Sequence, residues 1–211
     1  MTSMEDRLNS QYKHEQVRTA NTHNCILQAT DLFLQHNPAC KLTTNKIARM
    51  AGVSIGSVYN HFKNKDEIIV ELINNQLDQD LLTYGNFFND DSIRENIEAE
   101  FHKFLKLVLD NYRRNLELRK LILFYKRHPK VEKKFIYVTR ETQTLIENHF
   151  YKSSEIKSEV PIDIIISSLR GVIRSYLEFS PDKFHNFELD RELDILITSY
   201  IRNSLLIERR Y

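Results

Sequence analysis

The segment that most constrains the fold is residues 42–65, with the sequence LTTNKIARMAGVSIGSVYNHFKNK. Thr43 or Thr44 can cap a short helix and Ser54 can cap a second one, because a hydroxyl oxygen accepts a hydrogen bond from an otherwise unpaired amide of the first turn. The tripeptide AGV at residues 51–53 makes a tight turn between them. Two short helices joined by a glycine-containing turn are the geometry that places the second helix in a DNA major groove. The segment therefore predicts a helix-turn-helix.

Charge is distributed unevenly along the chain. The whole sequence has 30 Lys+Arg and 29 Asp+Glu residues, so its net charge indicates no partner. Residues 41–65 contain no acidic residue, and their basic residues are Lys41, Lys46, Arg49, Lys63 and Lys65. A basic window is often only a solvated surface, but phosphate contacts also supply most of the non-specific affinity for DNA. Together with the helix-turn-helix pattern, the window favours double-stranded DNA as a partner.

Glycine and proline are scarce, with four of each in 211 residues, and two of the glycines lie in the segment above. Long helices with few interruptions have such a composition. No segment shows sustained alternation of apolar and polar residues, which is the pattern of a half-buried strand. We therefore expect an all-α fold of about nine helices. An N-terminal three-helix DNA-binding domain at residues 12–66 would precede a larger helical domain at residues 67–211.

Apolar spacing and breaker residues give approximate bounds for the helices. The first is expected at about 14–36, and the fourth opens at 64–67 and ends before a break at 86–91. The later helices are expected at about 92–113, 116–127, 130–151, 161–179 and 189–208, with polar loops at 152–159 and 180–188. The core of the small domain is expected from Leu27, Phe33, Leu34, Ile47, Ala48, Val53, Val58 and Phe62.

Several classes of protein are disfavoured. No apolar run reaches the length of a membrane span, and the polar N-terminus lacks the apolar core of a signal peptide, so we expect a cytoplasmic protein. The spacing of Cys25 and Cys40 fits neither a zinc site nor a redox pair, which indicates reduced thiols used for packing. No common catalytic or phosphate-binding motif is present, so we expect no enzyme activity, cofactor or metal. A helical enzyme and a helical interaction module without DNA binding are the alternatives.

The same segment carries a more specific pattern that begins in the first helix. Its residues are Ile26-Leu27, Ala29 and Leu32-Phe33, then Thr43, Ile47-Ala48, Ala51-Gly52-Val53-Ser54, Gly56, Tyr59, His61-Phe62 and Lys65. In kind and order they resemble the DNA-binding domain of the tetracycline-repressor (TetR) family over residues 26–72. Lys46 departs from this pattern, because an acidic residue often follows the capping threonine there and completes a reciprocal cap.

The resemblance implies a homodimeric transcription regulator, usually a repressor, that binds a palindromic operator. It also implies that a small-molecule effector binds the C-terminal domain and changes the spacing of the two DNA-binding domains. Residues 73–211 resemble the family only in length and helical pattern.

The residues expected at DNA lie on the two short helices and at the start of the fourth. They are Thr43, Thr44, Lys46, Ser54, Ile55, Gly56, Ser57, Tyr59, His61, Lys63 and Lys65. Ser57 can bond a base or a phosphate, and Ile55 can contact a thymine methyl group. Gly56 allows either a close approach of the backbone to DNA or tight helix packing. His61 is either a phosphate contact or a ring buried between helices.

The larger domain offers weaker signals. Candidate effector contacts combine aromatic rings with basic groups, the composition of an apolar cavity with polar anchors. They are Phe101, His102, Arg119, Phe124, Tyr125, Arg170, Arg174 and Tyr176. Broad apolar faces on the last two helices are candidates for the dimer interface, represented by Ile165, Leu169, Val172, Ile173, Leu196, Tyr200 and Ile201. The alternative for both sets is packing within one subunit.

Overall fold

The computed structural model describes residues 4–90, 97–152 and 162–208 of the chain. Within these ranges the chain forms nine α-helices and no strand, which confirms the all-α prediction. The helices are α1 (Met4–His36), α2 (Thr44–Ala51), α3 (Ile55–His61), α4 (Lys65–Asn89), α5 (Ile97–Arg113), α6 (Leu116–Tyr125), α7 (Pro129–Lys152), α8 (Ile162–Phe179) and α9 (Phe187–Glu208). Short 3-10 helices occur at Ala39–Lys41 and Pro181–His185.

The chain divides into two compact units, residues 1–73 and residues 74–211. The division falls within α4, later than residue 66, where the sequence pattern placed it. The apolar side chains of Ile68, Ile69, Leu72 and Ile73 at the start of α4 are buried in the first unit. The first unit therefore includes the first two turns of α4 as well as α1, α2 and α3.

The core of the first unit comes from the apolar faces of these helices. Of the residues expected there, Leu27, Phe33, Leu34, Ile47, Ala48, Val58 and Phe62 are buried. Val53, in the turn between α2 and α3, is only half-buried. Burial of each large side chain contributes roughly 1.5–3 kcal/mol, so this small core can hold the two short helices in place.

The second unit has a larger core that is rich in aromatic side chains. The rings of Phe101 on α5 and Phe150 on α7 are stacked, with centroids 4.2 Å apart. Isoleucine and leucine side chains of α8 and α9 complete this cluster. Arg113 on α5 donates to the Asp190 carboxylate and, through Nε, to the Phe184 carbonyl at 2.9 Å, which ties α5 to the start of α9.

A buried ion pair lies beside this core. The Asp80 carboxylate on α4 accepts from Arg119 on α6, at 2.8 Å from Nη2, and from Asn111 on α5 at 2.9 Å. The guanidinium carbon of Arg119 lies 4.4 Å from the ring centroid of Tyr112. Burial alone lowers the pKa of Arg119, but the hydrogen bonds and charge of Asp80 outweigh burial and raise it. Burial, followed by the charge of Asp80, raises the pKa of the Tyr84 phenol.

Several helix boundaries differ from the sequence-based prediction. Helix α1 begins at Met4 rather than near residue 14, because its polar first turns contain no glycine or proline. Helix α4 continues into the expected break and ends at Asn89. Helix α9 begins at Phe187 because the Asn186 side chain accepts from the amide of Glu188 at 3.0 Å. The expected loop at 152–159 lies, apart from its first residue, outside the described residues.

The prediction that both cysteines pack in the interior is wrong. Cys25 and Cys40 are exposed free thiols. In α1 the neighbouring Ile26 and Leu27 are the buried residues, so Cys25 lies just outside the apolar stripe.

Candidate nucleic-acid interface

Helix α2 is fixed by signals at both of its ends. Thr43 has an extended backbone, and its side chain accepts a hydrogen bond from the amide of Lys46 at 3.3 Å. Gly52 ends the helix in the left-handed conformation with φ at 67°, and its amide donates to carbonyls of the last turn. A residue with a Cβ is strained there. The turn after α2 therefore depends on glycine.

Helix α3 begins with an equally local signal. The Ser54 hydroxyl accepts from the Ser57 amide at 3.0 Å and lies 2.9 Å from the Ser57 hydroxyl. Val58 and Phe62, four residues apart, are buried and anchor the helix to the first unit. The opposite side of α3 is left for solvent or a partner.

The exposed side of α3 carries the predicted DNA contacts. Ile55 is 39% exposed and Tyr59 is 53% exposed, while Ser54 and Gly56 are also exposed and Ser57 is half-buried. The Tyr59 hydroxyl lies 3.3 Å from the Thr44 hydroxyl on α2, which holds the phenol against the first short helix. This face combines hydroxyl groups, an aromatic edge and an aliphatic group, the chemistry that meets base edges and phosphates.

The glycine at residue 56 is not required by packing within the chain. A Cβ built there meets only the Ser54 hydroxyl oxygen, at 3.7 Å, which is ordinary van der Waals contact. Its backbone is helical and its φ is not positive. The tight-packing explanation of Gly56 therefore has no support in the first unit, whereas a close approach of an outside molecule remains consistent with it.

The basic groups are anchored by carbonyl oxygens of the same unit. Lys46 donates from Nζ to the Lys41 carbonyl at 2.8 Å and lies over the Phe33 ring. Lys65 donates from Nζ to the Leu42 carbonyl at 3.3 Å. Each ammonium has three donors, so both keep hydrogens for a phosphate. Neither makes an ion pair among the described residues.

The start of α4 has the reciprocal cap that α2 lacks. The Asn64 side chain accepts from the Glu67 amide at 2.9 Å, and the Glu67 carboxylate accepts from the Lys63 amide at 2.8 Å. The Lys63 side chain is exposed beside this cap. The cap fixes the backbone that carries Lys63 and Lys65.

His61 is neither fully exposed, as a phosphate contact would be, nor fully buried between helices. Its ring is half-buried, with its centroid 5.6 Å from that of His23 in an edge-on arrangement. His23 stacks on Phe62 and contacts a Glu71 carboxylate oxygen at 2.5 Å. No local sequence signal links His23 to Glu71. Asn60 is also exposed and was not assigned, although its position four residues after Gly56 places it on the same helix face.

The second unit contains a cavity of about 310 Å³ among α4, α5, α7 and α8. Phe101, Arg170 and Arg174, three of the predicted effector contacts, line it. His102 lies elsewhere, in a surface groove, where its Nδ1 is 2.8 Å from an Asp194 oxygen. Arg119 is buried in its ion pair with Asp80.

The other predicted effector contacts are not part of the lining of this cavity. Phe124 is 81% exposed at the end of α6, and Tyr125 packs edge-on against it with centroids 5.2 Å apart. Tyr176 is half-buried against the apolar core. The structure thus brings together three of the eight residues.

The residues expected at a dimer interface have different environments within the second unit. Ile165, Leu169, Ile173 and Ile201 belong to its buried core. Val172 and Tyr200 are partly buried against that core. Leu196 is 50% exposed, as are other apolar side chains of α8 and α9 that were not assigned, such as Ile195. A partner would therefore meet the exposed apolar residues of these helices before the buried ones.

Two further features concern the described part of the chain. None of its helices combines the length and apolar character that a membrane crossing requires. Among its side chains, no three histidine, cysteine, aspartate or glutamate residues are grouped as metal ligands.

Comparison with known proteins gives a family match within the first unit. Residues 26–72 match the model of bacterial regulatory proteins of the tetR family. Over 90 residues the chain is 34% identical to the nucleoid occlusion factor SlmA of Idiomarina loihiensis. The aligned segment covers 43% of this chain and 44% of that protein. The chain thus matches less than half the length of this curated relative.

Solved structures resemble most of the chain. One is described as a TetR-family transcriptional regulator of Mesorhizobium loti, with a TM-score of 0.69 at 17% identity over 88% of this chain and 97% of that one. Another is a TetR-family transcriptional regulator of Streptomyces coelicolor, with a TM-score of 0.62 at 16% identity over 88% of this chain and 83% of that one. At these identities the likeness concerns the fold.

Proposed function

Since the first unit is a TetR-family DNA-binding domain in a chain with the fold of such regulators, we propose that the protein represses transcription as a homodimer on a palindromic operator. A small molecule bound in the second unit would release it from DNA. Regulators of this family bind DNA and are not enzymes, so a helical enzyme is no longer an alternative.

The observation that carries the proposal is the exposed side of α3. Ser54, Ile55, Gly56 and Tyr59 are presented outward, while Val58 fixes the helix from behind. The surrounding residues 41–65 contain basic side chains and no acidic one. Phosphate contacts from this window would position the helix, and contacts from its first turns would select the sequence.

The proposed dimer is supported by apolar groups left exposed on α8 and α9. Ile164, Phe179, Ile195 and Leu196 are each at least 47% exposed. Two long helices from each subunit can bury such groups in a four-helix interface. A two-fold dimer presents two copies of α3, which is why the operator is expected to be palindromic.

DNA binding is tested by a gel shift with the DNA that flanks the protein's own gene. We expect a retarded band that weakens steeply with added salt and that a double variant, Ser57→Ala with Tyr59→Ala, loses. The matched control is Arg191→Ala, which removes an exposed cation of α9 in the second unit. Absence of a retarded band at low salt, or equal binding by the double variant and the control, would contradict the proposal.

The oligomeric state and the regulatory sign need their own measurements. Analytical ultracentrifugation of the full chain at micromolar concentration should give a dimer, and a monomer would contradict the homodimer. A reporter gene placed behind the bound DNA should be expressed more strongly when the protein is absent. Lower expression would indicate an activator instead of a repressor.

A further inference from the structure

The cavity in the second unit is mostly apolar and has an aromatic wall. Its apolar lining residues include Phe101, Phe104, Val108, Phe135, Ile146 and Leu177. A volume of about 310 Å³ is at the lower end of the range of small-molecule sites, which is roughly 300–1,000 Å³. Such a cavity favours one small ligand with a largely apolar body.

Arg170 is the exceptional member of this lining. It is half-buried on α8, and its hydrogen bonds go to two neutral acceptors on α7. Nη2 donates to the Thr139 carbonyl at 3.1 Å, and Nη1 reaches the Gln143 side-chain oxygen at 3.5 Å. A guanidinium has five N–H donors, so most of its donors are not used by these two bonds.

The charge of Arg170 is not matched by an ion pair with any described residue. Tyr112 and Glu147 favour the protonated guanidinium, but the Glu147 carboxylate accepts from Gln143 at 2.8 Å rather than from Arg170. Burial lowers the pKa of the Arg170 guanidinium from its ordinary value. Its ordinary pKa is so far above neutrality that the group stays charged in an apolar wall.

Arg174 lies one helical turn further along α8 and also lines the cavity, but it is paired. Its Nε donates to the Glu178 carboxylate at 2.9 Å, and the Arg174 side chain is about half exposed while that of Glu178 is partly exposed. Among the described residues, the same helix therefore carries one arginine in an ion pair and one arginine without one. This contrast assigns the anion-binding role to Arg170.

We propose that the cavity binds an amphipathic monocarboxylate, with its carboxylate on Arg170 and its apolar body among the aromatic and aliphatic side chains. The planar guanidinium fork matches a carboxylate, and charge-assisted bonds of this kind are about twice as strong as neutral ones. A neutral apolar molecule would leave this half-buried charge unmatched. A dianion would bring more negative charge than one free guanidinium offsets.

The inference rests on the proposed function in one respect, because the bound carboxylate is taken to be the effector that changes the affinity for DNA. Binding itself is a separate event and is measured without DNA. The two statements therefore fail in different experiments.

The binding test is isothermal titration calorimetry on the full chain with decanoate, compared with 1-decanol, which has the same apolar body and no charge. The chain should bind decanoate more tightly than 1-decanol. Arg170→Met should weaken decanoate binding by about tenfold or more, the loss expected for a charged hydrogen bond, and should leave 1-decanol unaffected. Arg174→Met, the control from the same helix and cavity, should stay within about twofold because Arg174 already has Glu178.

Thermal unfolding of each variant checks that it is folded, and Arg170→Gln replaces Arg170→Met if the latter is not. Equal affinity of the wild-type chain for decanoate and 1-decanol would overturn the proposal. So would a larger loss from Arg174→Met than from Arg170→Met, or no binding of decanoate at all.

A gel shift with decanoate separates the inference from the proposed function. Release of the DNA by decanoate, and its loss in Arg170→Met, supports both. Binding of decanoate through Arg170 with no change in DNA affinity upholds the ligand class and contradicts the effector role. A chain that binds decanoate but no DNA upholds the ligand class and contradicts the proposed function.

Discussion

The two units carry their candidate sites in opposite ways. In the first, α3 spans seven residues and turns its candidate DNA-contacting side chains outward, while Val58 and Phe62 anchor it to the core. In the second, the candidate site is a cavity lined largely by core residues, so side chains such as Phe101 would serve both packing and ligand binding. In the first unit, the candidate DNA-contacting residues can therefore be substituted without changing the core. In the second unit, the residues that line the cavity also belong to the core, so one substitution affects both.

The largest loss of stability is expected when the buried ion pair of the second unit is broken. Arg119→Met leaves the Asp80 carboxylate buried without its cation, and removal of one partner of such a pair is expected to lower the free energy of unfolding by about 3–5 kcal/mol. Urea unfolding of the full chain measures it.

The matched control for that substitution is Lys106→Met, which breaks the exposed pair of Lys106 with Asp110. A pair of this kind on a helix surface contributes about 0.3–0.5 kcal/mol. Similar losses of unfolding free energy for the two variants would contradict this prediction. The stability of the second unit would then not depend on its buried ion pair.

The next largest effect is expected for the candidate DNA-contacting residues of the first unit. Tyr59→Ala and Ser57→Ala should each lower operator affinity by about 1–3 kcal/mol, the size of one good contact with DNA. Thermal unfolding should change little, because Tyr59 is exposed and the Ser57 amide still donates to the Ser54 hydroxyl that caps α3. Tyr59→Phe tests the hydroxyl alone. A loss of folding that parallels the loss of affinity would show that these residues are structural.

A smaller effect concerns the turn between the short helices. Gly52→Ala places a side chain at a φ of 67°, which is expected to destabilise the first unit by about 1–2 kcal/mol. Thermal unfolding detects the change. An unchanged melting temperature would mean that the turn tolerates a Cβ, and that the left-handed glycine does not fix the two helices.

The smallest effect is on salt dependence. Lys65→Ala should weaken binding to all DNA sequences alike and reduce the slope of log affinity against log salt by about 1, as expected for one lost phosphate contact. Fluorescence anisotropy with operator and unrelated DNA over a range of salt concentrations measures both. A slope equal to that of the wild-type chain would remove Lys65 from the phosphate contacts.

Contacts between residues close in the sequence could be predicted, whereas contacts between distant residues could not. The caps at Thr43 and Ser54 link residues three apart, so a short window of sequence was enough to predict them. The pair of Asp80 with Arg119 joins residues 39 apart, and no local pattern indicates which side chains meet. Arg119 was therefore expected to contact an effector, although its charge is used inside the core. Phe124, expected in the same site, is largely exposed at the end of α6.

If the outward side of α3 approaches DNA closely, as we propose, a side chain added at Gly56 should interfere with binding, and Gly56→Ala adds the smallest one. The new methyl group meets only the Ser54 oxygen at 3.7 Å within the chain, and alanine favours a helix over glycine, so the melting temperature should stay constant or rise. Operator affinity, measured by fluorescence anisotropy, should fall by about tenfold or more, a loss of roughly 1.4 kcal/mol. A folded variant with the wild-type affinity would contradict the proposal.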